Sequence, residues 1–216
     1  MVAWVVGASG TWGRCVAVEL IRRGFDVVVL GRHDVPDLAT WARARNRSWV
    51  FREFDLMDED LPDVDESPDA LFVCAATTDG DRRALTRGNY LGPAAVIERV
   101  AAAMLQRGRG RIGVFVGQNA RLGLRGLGDF SAAQAALWTW CEALQDELSV
   151  TSGTVTVTRV IPPRTASPTQ RRLAELSGRS ARLRAPRAAR LVDAVLAGRR
   201  SAGRRPLAAA IAMVVR

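Results

Sequence analysis

The residues best equipped for chemistry in this 216-residue chain stand near its start: Gly7-Ala8-Ser9-Gly10-Thr11-Trp12-Gly13. They follow the apolar run Val2–Val6 and lead into a helix-like stretch. Gly7 permits a tight turn, while Gly10 and Gly13 let backbone and helix come close to a pyrophosphate. The helix opened by such a turn offers free N–H groups and the positive end of its dipole to phosphate oxygens. Ser9, Thr11 and Trp12 lie in the same turn. The motif predicts a dinucleotide site. The means of moving protons are thin by comparison. The chain has no lysine, a single tyrosine (Tyr90) and a single histidine (His33). It has no Cys-x-x-Cys and no paired histidines, so no metal centre is expected.

The elements that must position these residues follow from hydrophobic patterning. Short apolar runs at 2–6, 25–30, 50–54, 70–74, 112–116 and 155–160 read as strands. Helical stretches at 12–23, 93–107 and 131–148 separate several of them. Doubly apolar strands alternating with helices predict an α/β fold, a Rossmann-like doubly wound parallel sheet. The length suits a single domain over 1–216 and is too short for two. A late helix is expected at 187–197 and a last strand or buried segment at 207–215. The stretch 162–184, with three prolines, is expected to be a short loop region on the substrate side of the sheet.

The second strand runs into Gly31-Arg32. An acid at this place accepts ribose hydroxyls in NAD sites, whereas an arginine accommodates a 2′-phosphate. Arg32 therefore points to NADP(H), with Asp34 two residues on as the competing signal.

The order of Gly7–Gly13, Arg32, Asp55-Leu56 and Ala75-Ala76 resembles the short-chain dehydrogenase/reductase family over nearly the whole chain. The Gly7-x-x-Gly10-x-x-Gly13 spacing is similar to its extended and atypical branches. The resemblance implies that Asp55 hydrogen-bonds the adenine and that Ala75 and Ala76 lie beside its ribose. The Asn-Asn-Ala-Gly element of the family survives in Val73-Cys74-Ala75-Ala76 only at Ala75.

That family performs its chemistry with a serine and a Tyr-x-x-x-Lys pair. By resemblance the serine position is Gly117, the tyrosine position Phe130 and the lysine position Gln134. Asn89 matches the family asparagine that helps hold a proton-relay water, and is the only match among the catalytic positions. Phe130 keeps the ring without the proton, Gln134 carries no charge, and Gly117 has no hydroxyl. One general acid is worth about 10²–10⁴-fold and such groups act as a unit, so ordinary ketone/alcohol chemistry is disfavoured. Gln118 and Asn119 lie close enough in sequence to donate to an oxyanion. A role in the site is nonetheless not the expectation for them or for Tyr90; Asp129 is expected to face away from the site and Cys74 to pack in the core. The helix beginning near Phe130 and the one after Asn89 form the main dimer contact in the family. A homodimer, or a hetero-oligomer with a relative, is the expectation that follows.

Composition bounds the rest. Hydrophobic residues make up 48% and charged ones 25%, as in ordinary globular proteins. No apolar run reaches the roughly 18 residues of a membrane span, and the chain opens without a basic leader. A soluble cytoplasmic protein without membrane association is expected. Cys15, Cys74 and Cys141 each fall in apolar sequence, which predicts buried free thiols. The net charge of +9 is concentrated in 164–205, where 12 arginines face only Glu175 and Asp193. That stretch can meet an acidic partner; nucleic acid is disfavoured because no aromatics interleave with the arginines. Three functions fit these features. The first is an NADP(H)-binding, oxidoreductase-like protein with non-standard catalysis on a small organic molecule, C=C reduction included. The others are a non-redox cyclase or isomerase on the same fold, and a catalytically silent pseudoenzyme subunit.

Overall fold

The computed structural model describes residues 1–58, 67–163 and 188–203. Among these residues seven strands form one sheet, every pairing parallel: β1 Val2–Val6, β2 Asp26–Gly31, β3 Trp49–Glu53, β4 Ala70–Val73, β5 Gly110–Phe115, β6 Val155–Ile161 and β7 Ser201–Gly203. Their order is β3-β2-β1-β4-β5-β6-β7. The direction of winding reverses between β1 and β4, where open α/β sheets leave a crevice at the carboxyl ends of their strands.

The alternation of side chains along a strand explains how both faces are covered. Ala3 and Val5 of β1 and Phe72 of β4 point to one side. There they pack with Val16 and Leu20 of α1 (Thr11–Arg22) and with Val192 and Val195 of α6 (Ala189–Leu196). Trp4, Val6, Leu71 and Val73 point to the other side. They meet Ile97, Val100 and Met104 of α4 (Gly92–Arg107) and Leu137 and Cys141 of α5 (Gly128–Thr151). Each such aliphatic side chain withdrawn from water contributes about 1.5–3 kcal/mol, so the two apolar layers hold the sheet.

Shorter elements shape the crevice. Helix α2, Pro36–Arg43, starts with proline in its first turn, and α3, Arg82–Thr86, is capped by Asp81, whose carboxylate accepts from Ala84 N–H at 2.8 Å. A π-helical turn, Arg87–Leu91, joins α3 to α4. Helix α4 ends at Gly108, in the left-handed region at φ 78°.

The predicted α/β doubly wound sheet is the observed one, and the six expected strands are within two residues of their observed limits. Helices α2 and α3 and strand β7 had no counterpart among the expected elements. The expected last segment at 207–215 and nearly all of the 162–184 loop region lie outside the described residues. No helix of the described residues is long and apolar enough to cross a membrane.

Candidate functional site

At the carboxyl ends of β1, β2, β4 and β5 the chain encloses a cavity of about 470 Å³. One end is the glycine turn. Gly7 sits at φ +84°, and a Cβ there would lie 2.8 Å from the Cβ of Ala75. A Cβ on Gly13 would lie 2.1 Å from the Gly7 carbonyl oxygen. Both positions therefore exclude any larger residue. Gly10 precedes α1 as its N-cap and offers no side chain to its N–H groups. Those donors face the cavity that Gly7, Ser9, Gly10, Thr11 and Trp12 line. Gly13 does not line it; it lies behind the turn and lets α1 approach.

Arg32 and Asp55 stand side by side at the ends of β2 and β3, their closest charged atoms 3.9 Å apart. The Arg32 side chain is 69% exposed, so this contact leaves the guanidinium open to a second anion. Asp55 is held by Met57 N–H at 3.0 Å. Asp34 turns elsewhere: it accepts from its neighbour Val35 N–H at 2.7 Å and from Trp49 Nε1 at 3.1 Å, and does not line the cavity. The competing acid is thus tied to β3, and Arg32 is the charged side chain presented beside the β2 end. Leu56, Ala75 and Ala76 complete this half of the lining.

The opposite end is formed by Phe115, Gly117, Asn119, Phe130, Gln134 and Pro162, none of which carries an acid. Phe130 is buried against Leu85 and Leu127, which fixes its ring. Gln134 is also buried, and its Oε1 accepts the Gly117 N–H at 2.8 Å. Asn89 lies outside the lining. Its Oδ1 accepts from Thr77 N–H at 3.0 Å, and its Nδ2 donates to the carbonyls of Thr77 and Leu85, each at 2.9 Å. The side chain clamps the chain after β4. Asp129 is engaged on the surface by Arg82 at 2.9 Å, as its expected outward direction requires. Tyr90 packs against the α4–α5 side of the core.

Several lining residues were not expected from the sequence: His33, Met57, Asp79 and Phe115. Pro162, the first residue of the stretch expected on the substrate side, also lines the cavity. Cys74 lines the cavity rather than lying wholly in the core, and burial, reinforced by the neighbouring Cys15, pushes its thiol well up from the ordinary value. Burial also raises Cys15, with Arg14 opposing. None of these thiols is poised as a thiolate.

Comparison with known proteins agrees with the fold. The family described as the NAD dependent epimerase/dehydratase family matches residues 3–116, from β1 through the end of β5. No curated protein matches the sequence. Among solved structures, a short chain dehydrogenase/reductase family protein is similar at 26% identity and TM-score 0.71, covering 92% of this chain and 88% of its own. A short chain dehydrogenase of Shigella flexneri complexed with NADP gives TM-score 0.76 at 17% identity, with 93% of each chain covered. One from Streptomyces avermitilis gives 0.75 at 19%, covering 99% of this chain and 91% of its own. The last two likenesses speak to the fold alone. With more than half its length matched, the chain belongs to the NAD dependent epimerase/dehydratase family, within the wider short-chain dehydrogenase/reductase class.

Proposed function

We propose that the protein binds NADP(H) and reduces a small organic molecule without the family's own proton donor. The reading rests on one observation: a single cavity runs from the glycine turn to an end lined by Phe130 and Gln134, neither of which is an acid or a base. Gly7, Ser9, Gly10, Thr11 and the free N–H groups of α1 hold the pyrophosphate. Gly13 permits the approach, Trp12 flanks it, and Arg32 takes the 2′-phosphate. Asp55 and Leu56 border the adenine, and Ala75 and Ala76 its ribose. When bound, NADPH supplies a hydride to carbon and leaves as NADP⁺, while the substrate also gains one proton from solvent.

The residues then select the acceptor. A ketone reduced in this cavity needs a proton on its oxygen as the charge develops, and Phe130 has none to give. An activated C=C bond escapes that need, because water can protonate carbon afterwards. The direct test is NADPH consumption with a panel of α,β-unsaturated carbonyl compounds beside their saturated ketone counterparts. Consumption confined to the unsaturated set supports the reading; equal rates on ketones contradict it. The same lack of an acid favours a second reading, a non-redox step or a catalytically silent subunit. Bound NADPH that no member of either set can oxidise would select it.

A further inference from the structure

Gly117 does more than lack a hydroxyl. A Cβ placed on it would lie 2.1 Å from Asn119 Oδ1 and 3.5 Å from Gln134 Oε1. The Asn119 side chain therefore occupies the space into which a side chain at 117 would project. It is folded back by the short 3-10 turn Gln118–Ala120 that follows β5. Asn119 is 5% exposed, lines the cavity, and its Nδ2 is buried without a hydrogen-bond partner among the described residues. A buried amide donor left unpaired is unfavourable, and a ligand oxygen on it would relieve that cost. Gln134 is oriented by chemistry: the Gly117 N–H is a donor, so Oε1 must face it, and Nε2 is the donor it can offer the cavity.

We propose that Asn119 Nδ2, seconded by Gln134 Nε2, is the site that holds the carbonyl oxygen of the substrate. The inference rests on the reading of this cavity as a reductase pocket and names the group recognised there. Two neutral amides bind an oxygen and stabilise charge gathering on it, but neither gives up a proton at neutral pH. The ligand class is a conjugated carbonyl compound whose oxygen is held while its carbon skeleton lies against Phe130. Glycine at 117 is the condition for this site, since it makes room for the Asn119 amide.

The probe is cyclohexenone, with cyclohexene as the same ring lacking the oxygen, titrated into isotope-labelled protein while side-chain amide resonances are followed by NMR. Titrations run with and without saturating NADP⁺. Saturable shifts of the Asn119 and Gln134 NH₂ signals with cyclohexenone alone are expected. Asn119→Asp, which keeps the shape but turns donor into acceptor, should weaken binding about tenfold, the value of one neutral hydrogen bond. Gly117→Ala should weaken it comparably by driving a methyl group into the amide's place. NADP⁺ affinity and thermal midpoint of each variant check folding. Absent binding, binding with both amide signals unmoved, equal response to cyclohexene, or unchanged affinity in Asn119→Asp overturns the proposal. If the nucleotide itself fails to bind, the NADP(H) reading falls, while titration of the free protein still decides the role of Asn119.

Discussion

At the scale of single residues, the proposed reading gives Arg32 the 2′-phosphate, and its weak 3.9 Å contact with Asp55 leaves it available for that role. Replacing it with alanine should reduce NADPH affinity about tenfold or more, with little change for NADH, because a charge-assisted hydrogen bond contributes about 1.5–3 kcal/mol. Parallel titrations of the two nucleotides check this. At the other end, introducing Ser, Tyr and Lys by Gly117→Ser, Phe130→Tyr and Gln134→Lys meets an obstacle in Asn119, whose Oδ1 stands 2.1 Å from the new Cβ. Overpacking of that kind costs about 1–3 kcal/mol. Adding Asn119→Gly to the triple change should therefore raise ketone reduction about tenfold, as measured by NADPH-dependent turnover; equal rates in both variants would deny the clash a role.

At the scale of elements, the contacts that hold α4 and α5 to the sheet are the ones to test. Gln145 of α5 accepts from the N–H of Val157 on β6 at 2.6 Å. Beyond the short β7, that amide has this side chain as its partner. Gln145→Leu would strand the buried N–H, so denaturant unfolding should show a loss of about 1–3 kcal/mol. Gly92 opens α4 directly beneath the chain leaving β3, and a Cβ there would lie 2.1 Å from the Leu56 carbonyl oxygen. Because the obstacle is backbone, Gly92→Ala should lower the thermal midpoint and displace Leu56 in the cavity lining, weakening nucleotide binding as well.

Elements also divide by how readily sequence reveals them. The strands were legible because runs such as Ala70–Val73, apolar on both faces, suit few other places in a fold. Strand β7 has only Ser201, Ala202 and Gly203, and exists because β6 leaves an edge for it to pair with. The glycine turn was legible because its role lies in the backbone. The Asn119 amide was not, since its position depends on a three-residue turn and on the absence of a side chain two residues earlier. Nor could sequence show that Asp34 is drawn away by Trp49, fifteen residues on.

At the scale of the whole molecule, the charge inventory shapes the response to pH. With no lysine in the chain, few groups titrate in mildly alkaline solution, and the thiols stand out. Burial pushes Cys141 up to about 12, Arg159 opposing, and raises Cys15 and Cys74 as well. In the unfolded chain a thiol ionises near its ordinary value of about 8.5. Above that pH the unfolded state binds fewer protons than the folded one, so stability falls as pH rises. The contribution is whole below the unfolded value and is lost progressively toward pH about 12 for Cys141. Urea unfolding from pH 8 upward should show a decline approaching about 1.4 kcal/mol per pH unit for each buried thiol, and Cys141→Ala should flatten it.

The central claim is that a 2′-phosphorylated dinucleotide lies along the glycine turn. Trp12 lines the cavity, its ring 6.1 Å from that of Phe115. Titration of NADPH and of NADH against tryptophan fluorescence, with Trp12→Phe as the control for the other five tryptophans, reads that contact directly. Saturable quenching by NADPH at far lower concentration than by NADH, lost in Trp12→Phe, is the predicted result. Equal responses to the two nucleotides, or none to either, would contradict it.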